Sequence, residues 1–314
     1  MILVTGSLAY DQIMDFPGEF RDHIHADKLH ILNVSFLVNK LRKGFGGTAG
    51  NIAYTLSLLG ITSEIMGTVG DDFSPYRIFL KKHHIGTKFL KIIKSEKTSS
   101  AFGITDKKDN QIWGFYTGAD KFSHNLSISK IKDPIDMAVI APQNPKAMLK
   151  FAVEYSHKKI PYLFDPGMQL PWFEKSSLLK AITGAKIIIG NDYEIRVMEK
   201  KTGIGNLHSI AGKNKIIITT LGDQGSVISY AKDKIKIKAA KTERVVDPSG
   251  AGDSYRAGFL AGFLRHFDLI VCGQMGSMAA CYAVEKYGTS NHRFTLKEFS
   301  RRLKENYGLS KASG

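Results

Sequence analysis

Val246-Asp247-Pro248-Ser249-Gly250-Ala251-Gly252-Asp253-Ser254-Tyr255 is the stretch from which the rest of the chain can be ordered. It reads as a glycine-rich loop that runs into a helix. Glycines let the backbone come close to a ligand. The first helical turn adds unpaired N–H donors and the positive end of the helix dipole. Together they form a seat for phosphate oxygens. Asp253 is out of place in such a seat, because two anions repel. It makes sense facing a hydroxyl that gives up its proton while a phosphoryl group is transferred. The plainer reading is a helix-capping carboxylate.

Upstream of this stretch, Met1-Ile-Leu-Val runs into Thr5-Gly6-Ser7 as a first strand ending in a loop. Met137–Ala141, Tyr162–Phe164, Lys186–Ile189 and Lys215–Thr219 are short, continuous apolar runs. Such runs suit parallel strands buried on both faces. Helix-length stretches, Asn144 to Lys158 and Asp192 to Thr202, lie between them. Strand alternating with helix predicts an α/β fold with a mostly parallel sheet. Two regions break the rhythm, about 11–42 and 98–121. In the second, Ser100–Ile104 and Gln111–Tyr116 flank the polar turn Asp106–Asn110, a hairpin signature. These two regions are read as one small β subdomain, able to act as a lid. After Asp253 the pattern is helical to near Glu285, and Ser310–Gly314 reads as a frayed end.

Composition narrows the function classes. The 314 residues carry 44 Lys and Arg against 29 Asp and Glu, a net charge of +15. That balance favours anionic partners. The basic residues are dispersed in short pairs, which argues for a solvated exterior over a nucleic-acid surface. Two cysteines, Cys272 and Cys281, exclude a disulfide scaffold and a four-cysteine zinc site. No apolar run reaches the length of a membrane span, and the N-terminus lacks a basic, then apolar, leader. The expected setting is cytoplasmic, with no nucleic-acid or membrane partner.

The stretch at Asp247–Asp253 resembles a signature of the PfkB (ribokinase-like) carbohydrate and nucleoside kinases, with Pro248 where Thr is usual. Gly46-Gly47-Thr48-Ala49-Gly50-Asn51 resembles the family's other signature. Asn191-Asp192-Tyr193-Glu194 and Thr219-Thr220-Leu221-Gly222-Asp223-Gln224-Gly225 resemble its Asn-x-x-Glu element and its nucleotide loop. All four occur in the family's order, and the resemblance covers essentially the whole chain. It is not a P-loop kinase, because no Gly-x-x-x-x-Gly-Lys-Ser/Thr occurs.

The resemblance implies a single ribokinase-like domain over 1–314, three α/β/α layers with a β-sheet lid. It implies ATP and Mg²⁺ as cofactors and a small-molecule acceptor. Separately, a small β sheet with apolar residues on both faces often pairs with a copy of itself, so a homodimer through the lid is expected. By the resemblance, Asp253 would be the catalytic base, and Gly250, Ala251 and Gly252 the anion hole. Asn191, Thr220, Gly222 and Gly225 would serve the nucleotide. Glu194 would organise Mg²⁺ through water; Asn191 and Glu194 also read as a helix capping box. Asp247 lies where some relatives bind a monovalent cation such as K⁺. Asp11, Gly46, Gly47 and Asn51 would hold sugar hydroxyls, Asp11 with two carboxylate oxygens for a vicinal diol.

For the acceptor, Val4–Asp11, Asp15–Phe20, Leu32–Val38 and Glu285–Thr289 look most like the family's bacterial adenosine kinases. In those enzymes lid aromatics sandwich the purine, which points to Phe102 and Phe115; the plainer reading is filler of a small sheet. Ser7, Ser35 and Gln169 are further polar candidates, while Trp113 and Trp172 read as structural. The expected reaction is phosphorylation of adenosine's 5′-hydroxyl. A ribokinase, a broader nucleoside kinase or a sugar kinase is the alternative within the family. A sensor without turnover is disfavoured by the intact Asp253 loop.

Overall fold

The computed structural model describes residues 1–24, 33–108, 110–210 and 215–308. The expectations for Leu32, for part of the first lid region, for Asp109 in the lid turn and for Ser310–Gly314 lie outside these residues.

Thirteen strands are described: β1 (Ile2–Thr5), β2 (Ala9–Asp15), β3 (Lys40–Gly46), β4 (Ser63–Gly70), β5 (Gly86–Ile93), β6 (Ser99–Thr105), β7 (Gln111–Tyr116), β8 (Met137–Ile140), β9 (Tyr162–Phe164), β10 (Ile187–Asn191), β11 (Ile216–Thr220), β12 (Ser226–Tyr230) and β13 (Asp233–Ile237). Nine form one sheet in the order β13-β12-β11-β10-β9-β8-β1-β4-β5. It is parallel from β11 to β5, with β12 and β13 antiparallel at the edge. The predicted runs become its central strands because successive residues bury on opposite faces. Ile216 and Ile218 pack on one face and Ile217 on the other, all at 1 % exposure or less.

The helices are α1 (Thr48–Leu58), α2 (Ser74–Lys82), α3 (Pro145–His157), α4 (Lys175–Gly184), α5 (Asp192–Thr202), α6 (Ala251–Phe263), α7 (Leu269–Val284) and α8 (Leu296–Tyr307). The core on one face of the sheet takes residues of α1, α2, α6, α7 and α8, and the other takes residues of α3, α4 and α5. The stretch expected to be helical after Asp253 forms two helices, α6 and α7. The turn between them includes His266 at φ +58°. The two helices then pack so closely that a Cβ on Gly258 would lie 2.4 Å from the Met275 carbonyl oxygen.

The lid is a separate sheet in the order β3-β2-β6-β7. Its middle pair is parallel and the two outer pairs are antiparallel. Gly47, between β3 and α1, has φ +84°, and a Cβ there would lie 2.6–2.8 Å from Ser7 O, Ala9 N and Leu8 Cα. Glycine alone permits both this torsion and this contact. It brings the start of α1 against the loop after β1.

Candidate active site

The carboxyl ends of the parallel strands open onto the lid, the usual place for ligands in such sheets. Two cavities lie there. One, about 400 Å³, is walled by Ser7, Asp11, Gly47 and Asn51 on one side and by Trp113, Phe115, Met168 and Gln169 on others. The second, about 420 Å³, is lined by Thr220, Gly222 and Gly225 together with Ala251 and Gly252, over an apolar floor that includes Ala280 and Val284. A larger, more open hollow of about 1100 Å³, bordered by Met1, Ile61 and Phe267, contains none of the predicted site residues.

The loop of Asp247–Asp253 stands between the two cavities. Gly250 caps α6 in the left-handed region, φ +75°. The Asp247 carboxylate holds the loop by accepting the N–H groups of Ser249 and Gly288, each at 2.9 Å. The Ala251 N–H is turned partly inward, donating to Pro248 O at 3.2 Å. Asp253 sits in the first turn of α6, and its Oδ2 accepts a hydrogen bond from Asn51 Nδ2 at 2.8 Å. Asn51 Oδ1 in turn accepts from Ser290 Oγ at 3.2 Å. Burial pushes the Asp253 carboxyl above its ordinary pKa, while Arg256 and the Asn51 bond pull against that.

Asp11, on β2, projects from the lid sheet. Burial pushes its carboxyl up to about 6; the Thr289 hydroxyl opposes the shift and the nearby Asp247 and Asp253 charges add to it. Thr289 Oγ1 lies 3.4 Å from Asp11 Oδ2 and 3.1 Å from Phe45 O. Gly46 lies directly against this carboxylate, where a Cβ would meet Asp11 Oδ2 at 2.2 Å.

Asn191 and Glu194 form the capping box of α5. Each side chain accepts the other's backbone N–H at 2.8 Å. Asn191 does not line the second cavity, although it pairs with Thr220, which does.

Three expectations are corrected. Ala101 pairs with both Asp11 and Phe115, which puts these residues on one face of the lid sheet. Phe102, the next residue, points to the other face and is 40 % exposed there. It cannot wall the same cavity as Phe115. Its place is taken by Trp113, two residues before Phe115, whose ring stacks on Phe115 with centroids 6.0 Å apart. Gly103 leaves room for that indole, since a Cβ there would lie 2.7 Å from it. Ser35 is exposed and lines neither cavity.

Sequence reasoning missed Arg256, one helical turn after Asp253 and so on the same face. It is 7 % exposed and pairs with the buried Asp165 at 2.5 Å. Burial pushes the Asp165 carboxyl up to about 7 against the pull of Arg256. The guanidinium lies under the glycine-rich loop, with Nη1 2.6 Å from where a Gly252 Cβ would stand. Gln143 and Asp120, also in the first cavity, were missed as well.

A sequence profile of the pfkB family carbohydrate kinases matches residues 9–295. The nucleoside kinase of Methanocaldococcus jannaschii is 35 % identical over 279 residues, covering 87 % of this chain and 90 % of that protein. That of Methanothermobacter thermautotrophicus is 33 % identical over 314 residues, covering 98 % and 96 %. The Burkholderia thailandensis nucleoside kinase, solved in complex with inosine, superposes with a TM-score of 0.87 at 34 % identity, over 98 % of this chain and 99 % of that one. Profile, relatives and fold agree with the glycine-rich loop and its carboxylate, and the chain belongs to the pfkB family of carbohydrate kinases, ATP-dependent phosphotransferases that act on an alcohol.

Proposed function

We propose that this chain transfers the γ-phosphoryl group of ATP to the 5′-hydroxyl of a purine nucleoside, with adenosine as the principal acceptor. The observation that carries the reading is the two-ended first cavity. One end has hydroxyl-matching groups, Asp11 and Asn51, and the other has an aromatic wall, Trp113 and Phe115. Phe115 is 66 % exposed, so a planar base laid on it gains buried area and stacking. Two relatives bear the name nucleoside kinase, and the Burkholderia thailandensis enzyme has also been solved in complex with ADP-inosine.

In this reading the Asp11 carboxylate accepts hydrogen bonds from the ribose diol and Asn51 supports it. Asp253 takes the proton from the 5′-hydroxyl. The oxygen attacks the γ-phosphorus, the bond to the β,γ-bridging oxygen breaks, and ADP leaves. The N–H groups of Gly250–Gly252 and the Arg256 cation stabilise charge on the transferring group. Thr220, Gly222 and Gly225 border the donor nucleotide.

The residues present fit a magnesium ion carried in with ATP. Glu194 uses Oε2 for the α5 cap and keeps Oε1 for a metal-bound water. No group of three or more His, Cys, Asp or Glu among the described residues forms a protein cage. Mg²⁺ characteristically combines few carboxylates, several waters and substrate phosphates. When bound, the ion supplies positive charge across the phosphates. K⁺ beside Asp247 belongs to the same reading, since that carboxylate keeps lone pairs beyond its two N–H bonds.

Leu41, Phe102 and Ile112, each at least 40 % exposed, share the lid face opposite the cavity and would join two copies as a dimer. Among the described residues no helix is long and apolar enough to cross a membrane. The two free, buried thiols suit the cytoplasm.

The test is ADP release from MgATP over adenosine, inosine, guanosine, cytidine, ribose, fructose and fructose phosphates. Turnover on adenosine well above ribose is expected. Faster turnover on a sugar keeps the family and removes the nucleoside.

A further inference from the structure

We propose that Gln143 reads the hydrogen-bonding edge of the nucleobase and makes 6-amino and 6-oxo purines both acceptable. This rests on the nucleoside reading of the first cavity and assigns its base-selective residue. Gln143 is 1 % exposed and lines that cavity. Neither its Nε2 nor its Oε1 has a hydrogen-bond partner among the described residues. A primary amide carries two donors and two acceptor lone pairs, and burying them unfilled is unfavourable. Most buried polar groups in a fold are paired. One that is not, and that borders a ligand cavity, is placed to receive the ligand.

The backbone around Gln143 is pinned on both sides. Pro142 O accepts the Ser7 N–H at 3.1 Å and the Thr48 hydroxyl at 2.9 Å. The Asn144 N–H donates to Asp120 Oδ2 at 2.8 Å, and Asn144 Oδ1 caps α3 through the Lys146 N–H at 3.0 Å. Gln143 therefore leaves the end of β8 from a fixed elbow, the rigid support that selective recognition needs. The Asp120 bond ties that elbow to the turn that follows Phe115 and Tyr116, and Gln143 lines the same cavity as Trp113 and Phe115. Asp11 and Asn51 already answer the hydroxyls of the sugar.

The carboxamide presents an acceptor and a donor side by side. Its oxygen can accept from N6–H of adenine while its N–H donates to a ring nitrogen. Rotated half a turn, its N–H donates to O6 of hypoxanthine and its oxygen accepts from N1–H. A carboxylate offers acceptors only, and a hydroxyl donates and accepts through one atom, so neither sets a donor and an acceptor side by side. A purine riboside with hydrogen at C6 leaves one arm of the amide unpaired, which a site built for hydrogen bonding penalises.

The experiment compares kcat/KM for adenosine, inosine and 6-unsubstituted purine riboside in the wild type and in Gln143→Leu, which keeps the volume and removes the polar arms. The wild type is expected to favour adenosine and inosine over purine riboside. Gln143→Leu is expected to lose on the order of ten- to a hundredfold on both of those substrates and at most about threefold on purine riboside, which also reports that the variant folds. If the leucine variant does not fold, Gln143→Asn, with its amide withdrawn by one methylene, must show the same selective loss. Equal losses on all three substrates, or no loss, overturn the proposal. A wild type that phosphorylates no nucleoside instead removes the reading beneath it, and shows this before any variant is made.

Discussion

Asp253→Asn separates chemistry from architecture. The two side chains have the same shape. The carbonyl oxygen of the introduced amide can keep the bond that Asn51 Nδ2 makes at 2.8 Å. The other position becomes an NH₂ group, which cannot accept the proton of an attacking hydroxyl. A general base contributes about 10²–10⁴ in rate, so kcat should fall by that factor. At 1.36 kcal/mol per decade this is about 2.7–5.4 kcal/mol of barrier. Stability should move the other way. Burial raises the Asp253 carboxyl above its ordinary pKa, so the fold binds that proton more tightly than the unfolded chain does. The stabilisation this gives is present at low pH and lost as pH rises through the raised value, leaving a desolvated charge at neutral pH. A neutral amide removes that burden, and Tm should hold or rise. The assay is ADP release at saturating MgATP and adenosine, with ATP affinity by calorimetry and Tm by thermal melt. A kcat within tenfold of wild type, with Tm intact, takes Asp253 out of the base role. Loss of ATP binding together with a lowered Tm would make it a structural residue.

The ribose clamp should impose its own acid limb. Asp11 has both oxygens free to accept from the two ribose hydroxyls only when ionised, and its carboxyl is pushed up to about 6 by burial. The kcat/KM for adenosine should therefore fall about tenfold per pH unit below that value and level off above it, because this ratio reports the free enzyme; a limb starting only below pH 5 contradicts the assignment. On the lid, Phe115→Ala should remove about 1–3 kcal/mol of stacking and raise the adenosine KM while sparing ribose. Phe102→Ala should leave adenosine kinetics unchanged and weaken self-association in sedimentation. An adenosine defect in the Phe102 variant would refute the face assigned to it.

The main sheet could be read from the sequence because burial on both faces writes unbroken apolar runs, as at Ile216–Ile218. Phe102 shows where that kind of reading stops. Residue type nominates both lid phenylalanines, but pairing register decides which face each occupies, and one step along a strand reverses it. Trp113 reads as structural in the sequence because nothing local reveals that it shares a face with Phe115 and lies over Gly103. Gln143 leaves no local mark either. Its meaning comes from an amide with no protein partner, and that is visible only when the elbow after β8 meets the turn at Asp120. Arg256 did carry a signal, its one-turn spacing from Asp253, though its partner Asp165 comes from a strand end about ninety residues upstream.

Asp11 rides on the lid sheet and Asp253 on a helix packed beneath the main sheet. In the proposed reaction, the group that grips the acceptor and the group that deprotonates it therefore belong to different bodies. Thr289 is a strut between them, touching Asp11 and the carbonyl of Phe45 while its own loop is tied to Asp247 and, through Ser290, to Asn51. A misalignment of about 1 Å at a reacting centre can cost a hundredfold in rate. The tilt of the lid thus sets the reach between hydroxyl and base. A substitution that reshapes the lid for a different base will retune turnover at a carboxylate it never touches.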